Sequence, residues 1–188
     1  MSKSLIVISA PSGAGKTTIT KRILEQHPSD LIFSISATTR AKRPGERDGV
    51  DYYFLSRKEF EDLIKHNGLI EYEEIFGNYY GTPVEEIDRA RDLGKRLLFD
   101  IDVKGGLSIR KKFPEESQLI FIAPPTMEIL RERLTSRKTE PPEVIQRRLD
   151  RASMEMQMAE QYDHRVINDD LDQAIGEVEK LIFEGSTK

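Results

Sequence analysis

The stretch SAPSGAGKTT, residues 9–18, stands between a short apolar run and a helical pattern. A loop that binds phosphate needs backbone N–H groups with no Cβ atoms in the way, followed by a helix N-terminus and a cation. Gly13, Gly15 and Lys16 meet these needs, and Lys16 is placed to bridge two phosphates of a nucleotide. The stretch, called the phosphate loop below, predicts binding of a nucleotide triphosphate and transfer of its terminal phosphoryl group.

One position of the phosphate loop departs from the GxxxxGK[ST] template, because Ala10 stands where the first Gly is expected. Ala tolerates a positive φ poorly, so a glycine-rich turn without a ligand is the competing interpretation. The strand before the loop and the helix after it favour phosphate binding.

A metal ion that accompanies the triphosphate needs oxygen ligands near this loop. The hydroxyl of Thr17 is predicted to ligate Mg²⁺. The run LLFDID, residues 97–102, ends in Asp100 and Asp102, where a second parallel strand would deliver a carboxylate. Asp100 is the better candidate for the metal side, through a water, and an ordinary strand-end turn is the alternative.

Apolar runs and helical patterns alternate along most of the chain. The predicted strands lie at residues 5–8, 97–101, 119–123 and 165–167, and the predicted helices at 16–26, 104–112, from 126 onward and after 167. Runs this apolar are typical of strands covered on both faces. The alternation predicts an α/β domain, a parallel sheet wrapped by helices.

The middle of the chain, residues 34–82, predicts an inserted lobe of mostly antiparallel strands. Its polar and aromatic sequence contains predicted strands at 33–37, 51–55 and 69–76 around a helix at 57–66. Two helix starts match the capping-box pattern, at Ser56 with Glu59 and at Thr82 with Glu85.

A further segment, residues 126–151, carries many arginines around the break TEPPE and predicts a charged helical hairpin, called the lid below. Arg133 and Arg137 are four residues apart, so they share one face if the helix continues. The other lid arginines outside the motifs are interpreted as solvated helix charges: Arg131, Arg147 and Arg151.

Composition excludes several classes of function. The 188 residues suffice for one hydrophobic core and are too few for two ordinary enzyme domains. Zero Cys excludes disulfides and thiolate metal sites, which fits a cytoplasmic protein. The net charge of -4 argues against binding nucleic acid, and the apolar start is too short for a signal peptide or a membrane span.

The segment TTRAKRPG, residues 38–45, offers a cradle for a second phosphate. Arg40 and Arg43 are three residues apart, and each can grip two phosphate oxygens. Tyr52 and Tyr80 can add hydroxyl donors. A solvated basic loop and ordinary aromatic packing are the alternatives.

The ordered set of motifs resembles the guanylate kinase family over nearly the whole chain. The motifs are APSGAGKT, FSISATTRAKRPGERDGVDYYF, GLIEYEEIFGNYYGT, LLFDIDVKGG, IFIAPP, RLTSRKTE and VINDDLD. The resemblance implies the P-loop nucleoside-monophosphate-kinase fold, with a core at 1–33, 83–125 and 152–188, a GMP-binding lobe at 34–82 and a lid at 126–151. It also implies transfer of the γ-phosphoryl group of ATP to GMP, with Mg²⁺ as the cofactor.

The resemblance assigns roles residue by residue. The residues implied to bind ATP are Ala10, Pro11, Ser12, Gly13, Ala14, Gly15, Lys16, Thr17 and Thr18, with Asn168 near the adenine ring. Those implied to bind GMP are Ser36, Glu71, Thr82 and Asp102 at the base, and Arg40, Arg43, Tyr52 and Tyr80 at the phosphate. The implied catalytic residues are Lys16, Arg40, Arg133, Arg137 and Arg148. Glu73 and Glu74 flank Glu71, and the sequence by itself does not choose among these three.

Two other functions compete with this interpretation. Peptide-binding modules related to guanylate kinases typically have degraded phosphate loops, whereas Lys16, Thr17 and Asp100 are all present here. A kinase for another monophosphate is the second alternative, and the acidic residues at the base argue against adenine. The resemblance leaves open whether dGMP is accepted, and no obligate protein partner is expected. The histidines, His27, His66 and His164, lie outside every motif.

Overall fold

The larger of two β-sheets carries the phosphate loop. The computed structural model describes residues 3–75, 77–136 and 141–184. Within these residues the larger sheet is entirely parallel, in the spatial order β2 (Leu31–Phe33), β7 (Arg96–Asp100), β1 (Leu5–Ser9), β8 (Ser117–Ala123) and β9 (His164–Ile167). The predicted α/β core with a parallel sheet is confirmed.

Helices cover both faces of this sheet because the side chains of a strand alternate in direction. Ile6 and Ile8 of β1 belong to one core cluster and Val7 belongs to another, and all three side chains are fully buried. The helices that complete the two clusters are α1 (Lys16–Gln26) and α7 (Leu171–Phe183) on one face, and α3 (Glu85–Asp92) and α4 (Val103–Lys112) on the other.

The second sheet forms the inserted lobe. Its strand order is β4 (Tyr53–Phe54), β3 (Ala37–Thr38), β6 (Asn78–Pro83) and β5 (Leu69–Ile75). β3 and β5 pair antiparallel with β6, whereas β3 and β4 pair in parallel. Helix α2 (Arg57–Lys65) buries Phe60 in the core of the lobe and begins at the predicted capping box of Ser56 and Glu59. The sequence analysis did not predict β6, an inner strand of this sheet.

The strand predicted at residues 33–37 is wrong, because the chain crosses there from one sheet to the other. The Ser34 N–H donates to the Leu98 carbonyl in the parallel sheet (2.9 Å), while the Ser36 carbonyl accepts from the Tyr53 N–H in the lobe (2.9 Å). Local residue preferences do not show that the hydrogen-bond partners of this crossing segment change.

The helix start predicted at Thr82 is also wrong. Thr82 lies in β6, where its hydroxyl donates to Glu71 Oε1 (2.7 Å) instead of capping a helix. Helix α3 begins at Glu85, with Val84 as the N-cap residue and no side-chain cap. The pairing of β6 with strands on both sides outweighs the local capping signal.

The arginine-rich segment forms two helices, α5 (Met127–Ser136) and α6 (Pro142–Met158), which pack through Leu130, Leu134 and Leu149. The helical hairpin predicted for the lid is confirmed over the described residues. Helix α6 continues past residue 151, so the predicted end of the lid falls inside a helix. Among the described helices, none is both long and apolar enough to cross a bilayer.

Candidate active site

The phosphate loop joins β1 to the N-terminus of α1. Gly13 (φ 94°) and Gly15 (φ 91°) have a left-handed backbone, which glycine adopts without steric cost because it has no Cβ. Ala10 is not among the described residues with positive φ, and its side chain is buried in the core cluster of β1. The departure from the template at Ala10 therefore puts no strain on the loop.

An open cavity of about 920 Å³ lies between the phosphate loop and the lid, within the size range of nucleotide-sized ligand sites. The loop residues that line it are Ala10, Pro11, Ser12, Gly13, Gly15, Lys16, Thr17 and Thr18. The remaining lining residues are Asp102 and, from α6, Val144, Arg147, Arg148, Arg151 and Glu155. The structure therefore brings most of the predicted ATP-binding residues to one cavity, opposite the lid.

Two of the predicted ATP-binding residues do not line this cavity. The side-chain amide of Asn168 donates to the Ala14 carbonyl (2.8 Å), and both residues are buried. A Cβ on Gly15 would lie 2.3 Å from Asn168 Nδ2, so glycine is needed there for this close approach as well. Asn168 thus supports the phosphate loop, and its contact with adenine stays a prediction.

Lys16 meets the predicted metal-side carboxylate directly. Its ammonium forms an ion pair with Asp100, which ends β7. Burial lowers the pKa of Lys16 to about 8, while the carboxylates of Asp102 and Glu155 oppose that shift. Phosphate oxygens placed near the ammonium would likewise favour its charged form.

Two carboxylates meet at the N-terminus of α4, where the base site is predicted. Asp102 caps this helix by accepting from the Gly105 N–H (2.8 Å). A Cβ on Gly105 would lie 3.2 Å from Glu71 Oε2 and 3.3 Å from Asp102 Oδ1, so both carboxylates flank the same glycine. The Thr82 hydroxyl donates a hydrogen bond to Glu71 and therefore orients this acceptor. Ser36 lies half-buried at the crossing between the sheets.

Arg40 and two tyrosines lie together in the inserted lobe, as predicted for a phosphate cradle. The Arg40 guanidinium donates to both carboxylate oxygens of Glu46 (3.0 and 2.8 Å) and lies 5.4 Å from the centroid of the Tyr52 ring. The rings of Tyr52 and Tyr80 contact edge to face, with centroids 6.3 Å apart. Arg43 is exposed on the same loop, and its backbone N–H donates to Glu46 (2.7 Å). The sequence analysis missed Glu46, which holds Arg40 beside the tyrosines.

Two of the three lid arginines predicted to be catalytic can be placed. Arg148 donates to Ser12 Oγ of the phosphate loop (2.8 Å) and lines the cavity. Arg133 donates to the Asn168 carbonyl (3.0 Å) and does not line the cavity. Arg137 lies outside the described residues.

Arg151 is exposed, as predicted (43% of its side chain), but it is not only a solvated helix charge. Its guanidinium donates to Asp102 Oδ2 (2.9 Å) and to Glu155 Oε1 (2.9 Å), and it lines the cavity together with the exposed Arg147. Arg147, Arg151 and Glu155 follow one another at four-residue spacing, so they share one face of α6. This four-residue spacing in the sequence could have indicated that Arg151 is paired with Glu155. Arg131 is exposed, as predicted.

Comparison with known proteins identifies the family. The family model for guanylate kinase matches residues 2–185. The chain belongs to the guanylate kinase family. The guanylate kinase of Chlorobium chlorochromatii (strain CaD3) is 52% identical over 181 residues, covering 96% of this chain and 95% of the relative. That of Chlorobium luteolum is 50% identical over 171 residues, covering 91% of this chain and 86% of the relative. The crystal structure of guanylate kinase from Anaplasma phagocytophilum matches with a TM-score of 0.77 at 32% identity, covering 100% of this chain and 88% of that one.

In this chain, Asp102 lies where the parts of the candidate site come together. Its side chain flanks Gly105, as Glu71 does, lines the phosphate-loop cavity and accepts a hydrogen bond from Arg151 of α6. One carboxylate thus lies beside the same glycine as the base-site acceptor, lines the donor cavity and bonds to the lid helix. The resemblance to guanylate kinases and the fold that it implied are confirmed.

Proposed function

We propose that this chain transfers the γ-phosphoryl group of ATP to GMP and releases ADP and GDP. The observation that carries the proposal is a pair of carboxylates: Asp102 lines the phosphate-loop cavity, and Glu71 flanks the same glycine as Asp102, Gly105. Guanine presents N–H donors on its Watson–Crick edge and therefore needs such acceptors. AMP would leave these acceptors unpaired, which is a strong basis for rejection.

On the donor side, we assign the β- and γ-phosphates of ATP to the phosphate loop, with Lys16 bridging them. Thr17 faces the same cavity, and its hydroxyl would hold Mg²⁺ together with Asp100, which would act through a water. A hydroxyl and a carboxylate fit Mg²⁺, which prefers hard oxygen ligands and keeps several waters. The ion, when bound, neutralises charge that develops on the phosphates.

On the acceptor side, the base and the phosphate of GMP take different residues. We assign the base to Ser36, Glu71, Thr82 and Asp102, and the phosphate to Arg40, Arg43, Tyr52 and Tyr80. A phosphate monoester has a second pKa of about 6, so the attacking oxygen is already an anion at neutral pH and needs no general base. No histidine is among the lining residues of the described phosphate-loop cavity, and His27 bonds to Glu179 elsewhere (2.8 Å).

The transfer step depends on alignment and on charge compensation. Lys16 and Arg148 line the cavity from the loop side and from the lid side, so both cations face the place of the transferring group. We assign Arg133 and Arg137 to the same group of cations, approaching the phosphates when the lid closes. Together these charges offset the repulsion between two anionic substrates.

We further propose that the lobe (34–82) and the lid (126–151) move as bodies on the core when both nucleotides bind. Closure excludes water, which would otherwise accept the phosphoryl group. We expect the radius of gyration from small-angle scattering to fall on adding both nucleotides. Superimposable profiles of the free and the doubly bound protein would contradict this.

An acceptor panel tests the proposed reaction. Purified protein is mixed with ATP, Mg²⁺ and, in turn, GMP, dGMP, AMP, UMP or CMP, and both diphosphate products are followed. We expect turnover with GMP and a value of kcat/KM for AMP lower by about 10⁴-fold; dGMP is included because no residue is assigned to the ribose 2′-OH. Turnover with AMP or UMP but not GMP would overturn the assignment, and no ADP with any acceptor would indicate a binding module.

The acceptor site should also show a characteristic pH dependence. Burial raises the pKa of the Glu71 carboxyl, the charges of Asp102 and Glu73 raise it further, and the hydrogen bond from Thr82 opposes them. Thr82→Val removes that bond, so the pKa of Glu71 should rise more. As the pH falls, protonation removes the acceptor, and KM for GMP should therefore begin to climb at a higher pH in the variant than in the wild type. Steady-state kinetics against pH measure this, with KM for ATP as the internal control.

A further inference from the structure

A buried carboxylate lies between the two sheets, outside the site described above. Glu86 of α3 is 1% exposed and accepts hydrogen bonds from three residues. The Ile35 N–H donates to Oε2 (2.6 Å) and the Tyr53 hydroxyl to Oε1 (3.0 Å), and Arg89 donates to both oxygens. Arg89 also donates to the Phe33 carbonyl (2.6 Å).

These contacts fall on the boundary between the core and the inserted lobe. Phe33 ends β2 of the parallel sheet, Ile35 lies in the crossing segment, and Tyr53 belongs to β4 of the lobe. Glu86 itself follows the second crossing, where β6 leads into α3. The Glu86–Arg89 pair therefore ties together the two places where the backbone passes between core and lobe.

Two of the residues that donate hydrogen bonds to Glu86 lie next to the proposed GMP site. Ile35 precedes Ser36, which is assigned to the base, and the Ser36 carbonyl accepts from the Tyr53 N–H (2.9 Å). Tyr53 follows Tyr52, which is assigned to the phosphate. Two of the three residues that donate to Glu86 are thus covalent neighbours of the substrate-binding residues.

Stabilisation of the fold alone would not explain the buried Glu86–Arg89 ion pair. Burying a carboxylate has a large desolvation cost, and an ion pair like Glu86–Arg89 can often be replaced by packed apolar residues without loss of stability. A fully hydrogen-bonded carboxylate instead fixes the geometry of the segments that donate to it. Here the donors to Glu86 come from the core (Arg89), the crossing segment (Ile35) and the lobe (Tyr53).

We propose that Glu86 is a positioning residue for the phosphoryl-transfer reaction: it sets the resting orientation of the inserted lobe and so the geometry of its GMP site. This inference rests on the proposed function. Among the described residues, the hydrogen bonds of Glu86 go to Ile35, Tyr53 and Arg89 and none goes to the phosphate loop, so ATP binding should not depend on it.

Two variants test it, each with a matched control. Tyr53→Phe removes one donor and keeps the ring, and Tyr72→Phe, at an exposed tyrosine of β5, is its control. Glu86→Gln is compared with Glu85→Gln on the exposed neighbour. We expect KM for GMP to rise on the order of tenfold in both test variants, with KM for ATP unchanged within about twofold. KM for GMP in the double variant should not exceed that of Glu86→Gln alone, because the bond that Tyr53→Phe removes is one of those that Glu86→Gln already disturbs.

A distance measurement separates this proposal from the proposed function. The chain has no Cys, so spin labels at Lys58→Cys in the lobe and Glu177→Cys in α7 need no prior removal of thiols. In the nucleotide-free protein, Tyr53→Phe and Glu86→Gln should broaden or shift the label-to-label distance, and the controls should not. Lower thermal stability with unchanged distances, or with an unchanged KM for GMP, would overturn the proposal. A wild-type protein inactive toward GMP would instead refute the function, while the distances still report on the orientation of the lobe.

Discussion

Lys16→Met should lower kcat by about 10²- to 10³-fold or more with every acceptor, the size seen when one preorganised charge contact to a transition state is lost. Lys16 begins α1 inside the cavity and is held by Asp100, so its ammonium is fixed where the transferring phosphoryl group would lie. Methionine keeps the length and apolar stem of the side chain and removes only the charge. Rapid-quench measurement of ADP formation at saturating ATP gives the loss directly.

Lys21→Met is the matched control, because Lys21 lies on the same helix with its side chain 74% exposed. Its kcat should remain within about twofold of the wild type. Thermal melts of both variants are needed, since removing Lys16 leaves Asp100 without its ion-pair partner. Retained turnover in a folded Lys16→Met protein would refute the assignment of the phosphate loop.

Glu71→Gln should have the second large effect, on the acceptor side alone. The amide places an N–H₂ group where the carboxylate met the N–H donors of guanine, and it also disturbs the hydrogen bond that Thr82 donates. We expect kcat/KM for GMP to fall at least about 10²-fold, because a buried polar pair is left unmatched. The Kd for ATP, measured by calorimetry, should be unchanged.

Glu74→Gln provides the control within the same strand. Glu74 is 47% exposed and lies 3.7 Å from Arg57, an ion pair that solvent weakens. Its kcat/KM for GMP should stay close to the wild-type value. Equal losses in the Glu71 and Glu74 variants would show that general negative charge on β5, not one positioned acceptor, determines GMP binding.

The sequence predicted the parallel core well because its signals are local. The strand at residues 5–8 and the helix at 16–26 agree with β1 and α1, since a fully apolar run and a loop that ends in a helix start need no distant partner. The capping box at Ser56 is local in the same sense and is confirmed. Assignment of Glu71 rather than its neighbours came from the resemblance alone.

The elements and residue roles that the sequence did not predict depend on hydrogen-bond partners far away along the chain. β6 is held in place by residues far along the chain, such as Thr38, whose hydroxyl donates to the Tyr79 carbonyl (2.9 Å). Thr82 carries a helix-start signal but acts as a donor to Glu71 across the sheet. A glutamate at this place in a helix would be expected on the surface, yet Glu86 is buried. Two of its hydrogen-bond donors, Ile35 and Tyr53, come from other segments of the chain, which local sequence patterns do not show.

The central claim is that one continuous site holds ATP on the phosphate loop and GMP on the lobe at the same time. The most direct test is calorimetric binding of an analogue in which adenosine and guanosine are joined through five phosphate groups. We predict one analogue per chain, bound at least about 10²-fold more tightly than ATP or GMP alone, with affinity reduced by both Lys16→Met and Glu71→Gln. Binding no tighter than that of ATP, or unaffected by Glu71→Gln, would contradict the claim.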